Sequence, residues 1–309
     1  MVIAFVFPGQ NSHYVGMGED LYEAGGPPRL ALEVAEGALG ADLLQVMFEG
    51  PEDALTRTDN QQPAIAAHSL AALAGLRDAG IEPDFVAGHS LGEYSAVACA
   101  GCLTPEQVLH LVRFRGELMA RAGEECPGAM AAVLGLDAEE VEAVVARARE
   151  DDVLVVANYN SPGQIVISGE VGAVERAGAL AEEAGAKRVI PLKVSGAFHS
   201  SLMGPAVDLL IERLEEIDLA PADVPVVANA DALPHTEPAQ VRECLGRQMT
   251  TSVLWEQSVR RLAEEGVETL VEVGPGTVLS RLIRRIDPEL QVLNVDTAED
   301  LQQAVARLT

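Results

Sequence analysis

Positive charge is scarce in this 309-residue sequence: 21 Lys and Arg stand against 48 Asp and Glu, and the only lysines are Lys187 and Lys193. The resulting formal charge of −27 repels phosphate backbones and anionic headgroups, so neither a nucleic acid nor a membrane is an expected partner. Aromatic residues are also few, at 4%, which leaves the core to aliphatic packing. Four cysteines, Cys99, Cys102, Cys126 and Cys244, are too few for a disulfide framework in a chain this long and fit a reducing compartment. Cys99-Ala-Gly-Cys102 has the look of a redox or zinc pair. No second pair follows, however, and Cys99 falls in a helical stretch where a small apolar side chain packs well. No histidine pair has metal-ligand spacing, so no metal is expected. No apolar run is long enough to span a bilayer, and residues 2–7 lack a basic leader and are too short for a secretion-signal core. These absences together point to a soluble cytoplasmic protein. The turn after residues 2–7 lacks G-x-G-x-x-G, and G-x-x-x-x-G-K-[ST] occurs nowhere, so a nucleotide-phosphate cradle has no support.

What is present is a hydrophobic fraction of 48%, enough for a large core, arranged as repeated strand and helix patterns that predict an α/β fold. The stretch that organises the rest is Gly88-His89-Ser90-Leu91-Gly92-Glu93. A short apolar run precedes it and a small-residue helical pattern follows as far as Gly101, which is the strand–turn–helix context of a nucleophile elbow. Ser90 then stands at a helix start, where the positive end of the helix dipole favours a developing oxyanion.

The flanking segments read as follows. Residues 2–7 form a buried strand, followed by the turn Pro8-Gly9-Gln10-Asn11-Ser12. Helices are expected around 30–39 and over 62–76, the second opened by Pro63. Thr104-Pro105-Glu106-Gln107 is a capping box that starts a helix running to about 122. Residues 126–193 change character: strand 129–134, helix 137–149, strands 153–157 and 164–168 around the turn 159–163, helix 171–184 and strand 187–192. That β-α-β-β-α-β order is the order of a ferredoxin-like unit, taken as a small subdomain inserted into a core made of 1–125 and 194–309. The cleft between them is an expected ligand site. A helix from Pro205 should bury Val207, Leu210, Ile211 and Leu214. Later segments supply a strand at 224–228, helices over 239–248 and 255–265, and a strand at 268–273 leading into Gly274-Pro275-Gly276.

Two further residues carry chemistry. Arg115 shares a helical stripe with Val108, Leu111, Leu118 and Met119, whereas Arg113 faces Glu117 at a surface-pair spacing. An arginine on an apolar stripe needs an anion, either a protein carboxylate or a ligand's; the stripe alone favours an internal salt bridge. His199 lies in a loop ahead of a helix and is the better-placed candidate base. His68 and His110 fall within helices, His13 and His235 in polar turns, and His89 adjoins Ser90 with its side chain expected on the other side of the pleat.

Phe7-Pro8-Gly9-Gln10, Gln62-Pro63, Gly88 to Ser95, Arg115-Gly116, Asn158 to Gln164, Phe198-His199, Arg247-Gln248 and Glu272 to Gly276, in this order over essentially the whole chain, resemble the malonyl-CoA:acyl carrier protein transacylases. The family includes the acyltransferase domains of polyketide synthases. The resemblance implies an α/β-hydrolase-like core with an inserted ferredoxin-like subdomain. It implies Ser90 as nucleophile, His199 as its base oriented by the Gln248 backbone carbonyl, and the backbone N–H groups of Gln10 and Leu91 as the oxyanion hole. Arg115 then becomes the partner of the malonate carboxylate, which reverses the salt-bridge reading, with Gln62, Phe198 and Asn160 as further substrate-binding residues. Malonyl-CoA and acyl carrier protein are the implied partners, with no cofactor, the coenzyme A thioester being a substrate. Leu91 and Phe198 resemble malonyl-selective members, Phe198 occupying the space of an α-methyl group. Asn11 and His13 depart from the Gly and Gln common in the family. Asn tolerates a left-handed backbone, and His13 is expected in solvent. An acyltransferase for another extender unit, a carrier-protein hydrolase and a non-catalytic docking module are the alternatives. A hydrolase gains nothing from Arg115, and a docking module needs neither Ser90 nor His199. For an acidic carrier, Arg284, Arg285, Lys187 and Arg188 are the candidate basic contacts.

Overall fold

The computed structural model describes residues 1–40 and 42–309. Among the described residues, ten strands form two sheets: β1 (Ile3–Phe7), β2 (Phe85–Gly88), β3 (Ala129–Leu134), β4 (Leu154–Ser161), β5 (Gln164–Gly169), β6 (Arg188–Pro191), β7 (Val226–Val227), β8 (Pro234–His235), β9 (Thr269–Val273) and β10 (Gln291–Val295). The first sheet has the order β10-β9-β1-β2-β7-β8 and is parallel except for the β7–β8 edge. Both of its faces are covered. Phe5 and Phe7 pack with the helices Thr58–Asp78 and Pro105–Glu125 on one side, while Ala4 and Val6 join Trp255, Val259, Leu279, Leu282 and Ile283 on the other. A strand buried on both faces reads as a continuous apolar run, which is why residues 2–7 show no alternation.

The second sheet is antiparallel with the order β4-β5-β3-β6. Here the two-residue period separates two faces. Ala131, Val133, Ile165 and Ile167 pack under the helices Ala138–Ala148 and Val171–Glu183, whereas Met130, Ala132 and Val166 join the main core. That second group faces the cleft in which Ser90 lies.

Several boundaries differ from expectation. Pro63 sits inside the helix Thr58–Asp78 rather than at its first position; Asn60 and Gln61 N–H bond the Arg57 carbonyl and start the helix earlier. Nearly all of this helix is buried, so its packing offsets the one backbone bond the proline lacks. β4 continues through Ser161, leaving Pro162-Gly163 as the turn, because Tyr159 N–H also bonds the Val253 carbonyl. The expected strand 224–228 shrinks to β7. Ile211 is exposed on its helix Gly204–Glu215. Arg113 donates to Asn60 Oδ1 at 3.0 Å instead of pairing with Glu117. Short helices at Glu19–Ala24, Leu43–Glu49 and Glu52–Thr56 had no periodic signal long enough to read. The capping box at Thr104 is present with both of its bonds, and no helix of the described residues is long and apolar enough to cross a membrane.

Candidate active site

β2 ends at Gly88 and the helix Gly92–Cys99 begins four residues later, so the chain reverses sharply at Ser90, whose φ is +50°. Non-glycine residues adopt that left-handed conformation only when their surroundings over-determine it. Two contacts do so. A Cβ at Gly92 would run into the Phe7 carbonyl, so only glycine lets the helix close on β1. Asn229 then clasps the turn, its Oδ1 accepting from Ser90 N–H at 2.6 Å and its Nδ2 donating to the Gly88 carbonyl at 2.6 Å.

His199, also left-handed at φ +60°, brings Nε2 to 2.9 Å from Ser90 Oγ. Its Nδ1 lies 2.9 Å from the Gln248 carbonyl and 3.2 Å from that of Thr251. Carbonyls only accept, so Nδ1 carries the proton and the Nε2 lone pair faces the serine hydroxyl. Burial, and then the nearby Arg115 charge, push the imidazole down to about 3, which keeps it neutral at physiological pH.

Arg115 is fully buried. Its Nη2 donates to Ser90 Oγ and to Gln248 Oε1, both at 3.0 Å, and its Nη1 to Gln62 Oε1 at 2.7 Å. Ser90 Oγ therefore accepts from Arg115 while donating to His199. Tyr94 lies with its ring centroid 5.3 Å from the guanidinium carbon, and Nε has no acceptor. No carboxylate touches this cation among the described residues, contrary to the internal salt bridge that the stripe alone favoured. Burial accordingly lowers its pKa, the sign of a buried charge held by neutral groups.

The remaining expected residues divide between this network and the cleft. Gln62 is buried and serves Arg115; its Nε2 donates to Met119 Sδ at 3.2 Å. Phe198, Asn160 and Gln10 line a cavity of about 190 Å³ together with Ser90 and His199. Asn160 Oδ1 is 2.8 Å from His89 Nε2, so His89 faces the cleft rather than the opposite side of the pleat. Backbone N–H of Leu91 and Gln10 finds no acceptor among the described residues, whereas that of Ser90 is taken by Asn229. Asn11 takes φ +70°, the conformation its type tolerates. His13 is half-buried, its Nδ1 3.0 Å from Gln61 Nε2, not free in solvent; burial lowers its pKa. Cys99 and Cys102 are unbridged and buried, and burial pushes their thiols up to about 12 and 11.

Four participants were not read from the sequence: Asn229, Glu93, Thr251 and His89. Glu93 lay inside the elbow string itself, and an acidic residue in a stretch of small buried residues was the available signal. Asn229 and Thr251 had none, being single polar residues brought in by tertiary folding. Asp231, His235 and Cys244 also converge, with candidate ligand atoms within 4.8 Å of one another. Asp231 already accepts from Arg247 at 2.9 Å and lies 3.2 Å from His235 Nε2, so donors from the protein satisfy it.

Residues 4–301 match the acyl transferase domain family. The malonyl CoA-acyl carrier protein transacylase of Bacillus subtilis is 46% identical over 307 residues, 99% of this chain and 97% of the relative. The chain belongs to the malonyl-CoA:acyl carrier protein transacylase family. Among solved structures, an acyl carrier protein S-malonyltransferase from Vibrio cholerae superposes with a TM-score of 0.94 at 41% identity, over 98% of this chain and all of that one. A malonyl-transacylase in complex with its type II polyketide synthase acyl-carrier protein gives 0.96 at 40% identity, over 99% and 100% of the two chains. Family membership accounts for the order of motifs along the whole chain.

Proposed function

We propose that this chain moves a malonyl group from malonyl-CoA to the phosphopantetheine thiol of an acyl carrier protein by way of a Ser90 ester. The single observation that carries the reading is the fully buried, carboxylate-free Arg115 guanidinium 3.0 Å from the nucleophile. A permanently charged planar donor at that distance suits an acyl group with its own carboxylate. Ser90 Oγ attacks the thioester carbon as His199 Nε2 takes its proton, the C–S bond breaks, and the departing sulfur takes the proton back. The carrier thiol then gives its proton to His199 and attacks the ester, and Ser90 leaves reprotonated. The Gln10 and Leu91 N–H groups receive the oxyanion in both halves, and Gln248 orients His199. The scheme needs no bound cofactor.

The same reading takes residues 1–125 and 194–309 as an α/β-hydrolase-like core and 126–193 as a ferredoxin-like subdomain, supported by the two sheets and their strand orders. It goes with a cytoplasmic location and with fatty-acid synthesis. Polyketide synthesis is the second pathway, favoured by the likeness to the polyketide carrier complex.

Arg115→Ala and Arg115→Lys test the assignment. Losing a buried charged donor fork should cut kcat/KM for malonyl-CoA by roughly 10²-fold or more, while transfer from acetyl-CoA, which has no carboxylate, should fall less, only by what the Arg115 bond to Ser90 Oγ contributes. Malonyl transfer unchanged in Arg115→Ala would rule the assignment out.

A further inference from the structure

Glu93 is buried at 1% exposure in the first turn of the elbow helix, and nothing in the acyl-transfer scheme uses it. Its Oε2 accepts from Gln248 Nε2 at 2.7 Å and from Asn229 N–H at 3.1 Å. Gln248 Nε2 also donates to the Ser90 carbonyl at 2.9 Å, and Gln248 Oε1 accepts from Arg115 at 3.0 Å. A glutamine amide has two distinguishable ends, and an ionised carboxylate has no proton to give. Glu93 and the Ser90 carbonyl, both acceptors only, therefore require the nitrogen end of Gln248 to face them, which turns the oxygen end toward Arg115. With the amide reversed, an N–H would face the guanidinium and an oxygen would face both the carboxylate and the Ser90 carbonyl, and all three contacts would be lost.

We infer that Glu93 is a positioning residue that sets substrate choice: with the Ser90 carbonyl it holds the orientation of the Gln248 side chain, and so aims the Arg115 guanidinium at the place where the acyl carboxylate binds. The inference rests on the malonyl-transfer reading and deepens it. Glu93 acts through Gln248 on Arg115, and through Asn229 on the backbone of Ser90, without touching substrate. Burial pushes its carboxyl up to about 7, opposed by the bonds from Gln248 and Asn229 and by the Arg115 charge. The other ionisable groups that face it are Tyr94, the next residue of its helix, Asp231, after β7, and Cys244, on the helix Pro238–Arg247. Once protonated, Glu93 has a proton to donate and no longer dictates which end of Gln248 it meets, which leaves the Ser90 carbonyl as the one acceptor holding the nitrogen end. Recognition of the carboxylate should then weaken as pH falls through that range, whereas His199, held down at about 3, titrates elsewhere.

Glu93→Gln separates orientation from charge, because the new amide keeps the shape but can meet either end of Gln248, which leaves only the Ser90 carbonyl to demand the nitrogen end. Removing a buried negative charge near Arg115 would by electrostatics alone tighten binding of an anion, so the two effects have opposite signs. For Glu93→Gln, KM for malonyl-CoA should rise about tenfold, the equivalent of one charge-assisted hydrogen bond, with a smaller change in kcat. The acid limb of its kcat/KM profile near pH 7 should disappear. Labelling of Ser90 by a fluorophosphonate, which needs the Ser90–His199 pair but no carboxylate recognition, should stay within about twofold. A KM that falls or holds, an acid limb that persists, or labelling that drops in step with transfer would overturn the inference. A wild-type protein that transfers no malonyl group would instead remove the reading beneath it, and wild-type transfer alongside an unaltered variant would remove this inference alone.

Discussion

Phe198 is 4% exposed, stands immediately before His199 and lines the cavity with Ser90. On the proposed reading a ring at that place leaves little room beside the acyl α-carbon, so Phe198→Ser should raise kcat/KM for methylmalonyl-CoA relative to malonyl-CoA. One methyl group is worth about 1–3 kcal/mol of discrimination, and a shift of about tenfold in the ratio is the expected size; an unchanged ratio would assign selectivity to another wall. Ser90, His199 and Arg115 were legible because each sits in a string whose local pattern constrains it: an elbow, a loop before a helix, a charge on an apolar stripe. The partner of Arg115 was not, because the stripe says that a charge is buried and nothing about what meets it. The fold answers with Gln62, Gln248 and Ser90, three neutral acceptors from three separate segments. His89 was misplaced because strand alternation was extended past Gly88, where β2 ends.

The elements were read best where local chemistry fixes their ends. The capping box at Thr104 starts its helix as written in the sequence, and the helix expected from residue 137 proves to be held by a capping box as well, each such cap contributing about 1 kcal/mol. Buried pieces were read worst: Pro63 marks no boundary because the helix around it is held by packing, and β4 overruns its expected turn through a bond to Val253. Strand register adds a consequence for the carrier. Gln164 of β5 is paired with Leu134 of β3, and Leu134 with Arg188 of β6, while Arg285 donates to Gln164 Oε1 at 2.8 Å. Gln164 and Leu282, from the helix that carries Arg284 and Arg285, both line the cleft. Arg188 and Arg285 thus lie on one row across the sheet and its neighbouring helix, and all four candidate basic residues are exposed and without ion-pair partners among the described residues. Arg285→Glu with Arg188→Glu should raise KM for an acidic carrier protein several-fold at low salt, with the effect shrinking as salt screens it, and leave acylation by malonyl-CoA unaltered. Equal loss in both half-reactions would point to a disturbed fold instead.

At the level of the whole molecule, a mostly parallel sheet places Ser90, the proposed nucleophile, at the carboxyl end of β2, where open α/β sheets place their sites. The antiparallel sheet supplies the opposite wall through Met130, Ala132, Asn160 and Val166. This division is why the sequence pattern changes between residues 126 and 193, and why residues far apart in the chain converge on one cleft. The acidic surface, at a net charge of −27, makes a general attraction to an acidic partner impossible and leaves recognition to local cations. Transfer through Ser90 is tested most directly by the intact mass of the protein and of Ser90→Ala after incubation with malonyl-CoA, before and after addition of acyl carrier protein. One malonyl adduct on the wild type, none on Ser90→Ala, and passage of the group to the carrier are the expected results. An adduct that Ser90→Ala retains, or one lost to water as fast without the carrier as with it, would contradict a Ser90-borne transfer.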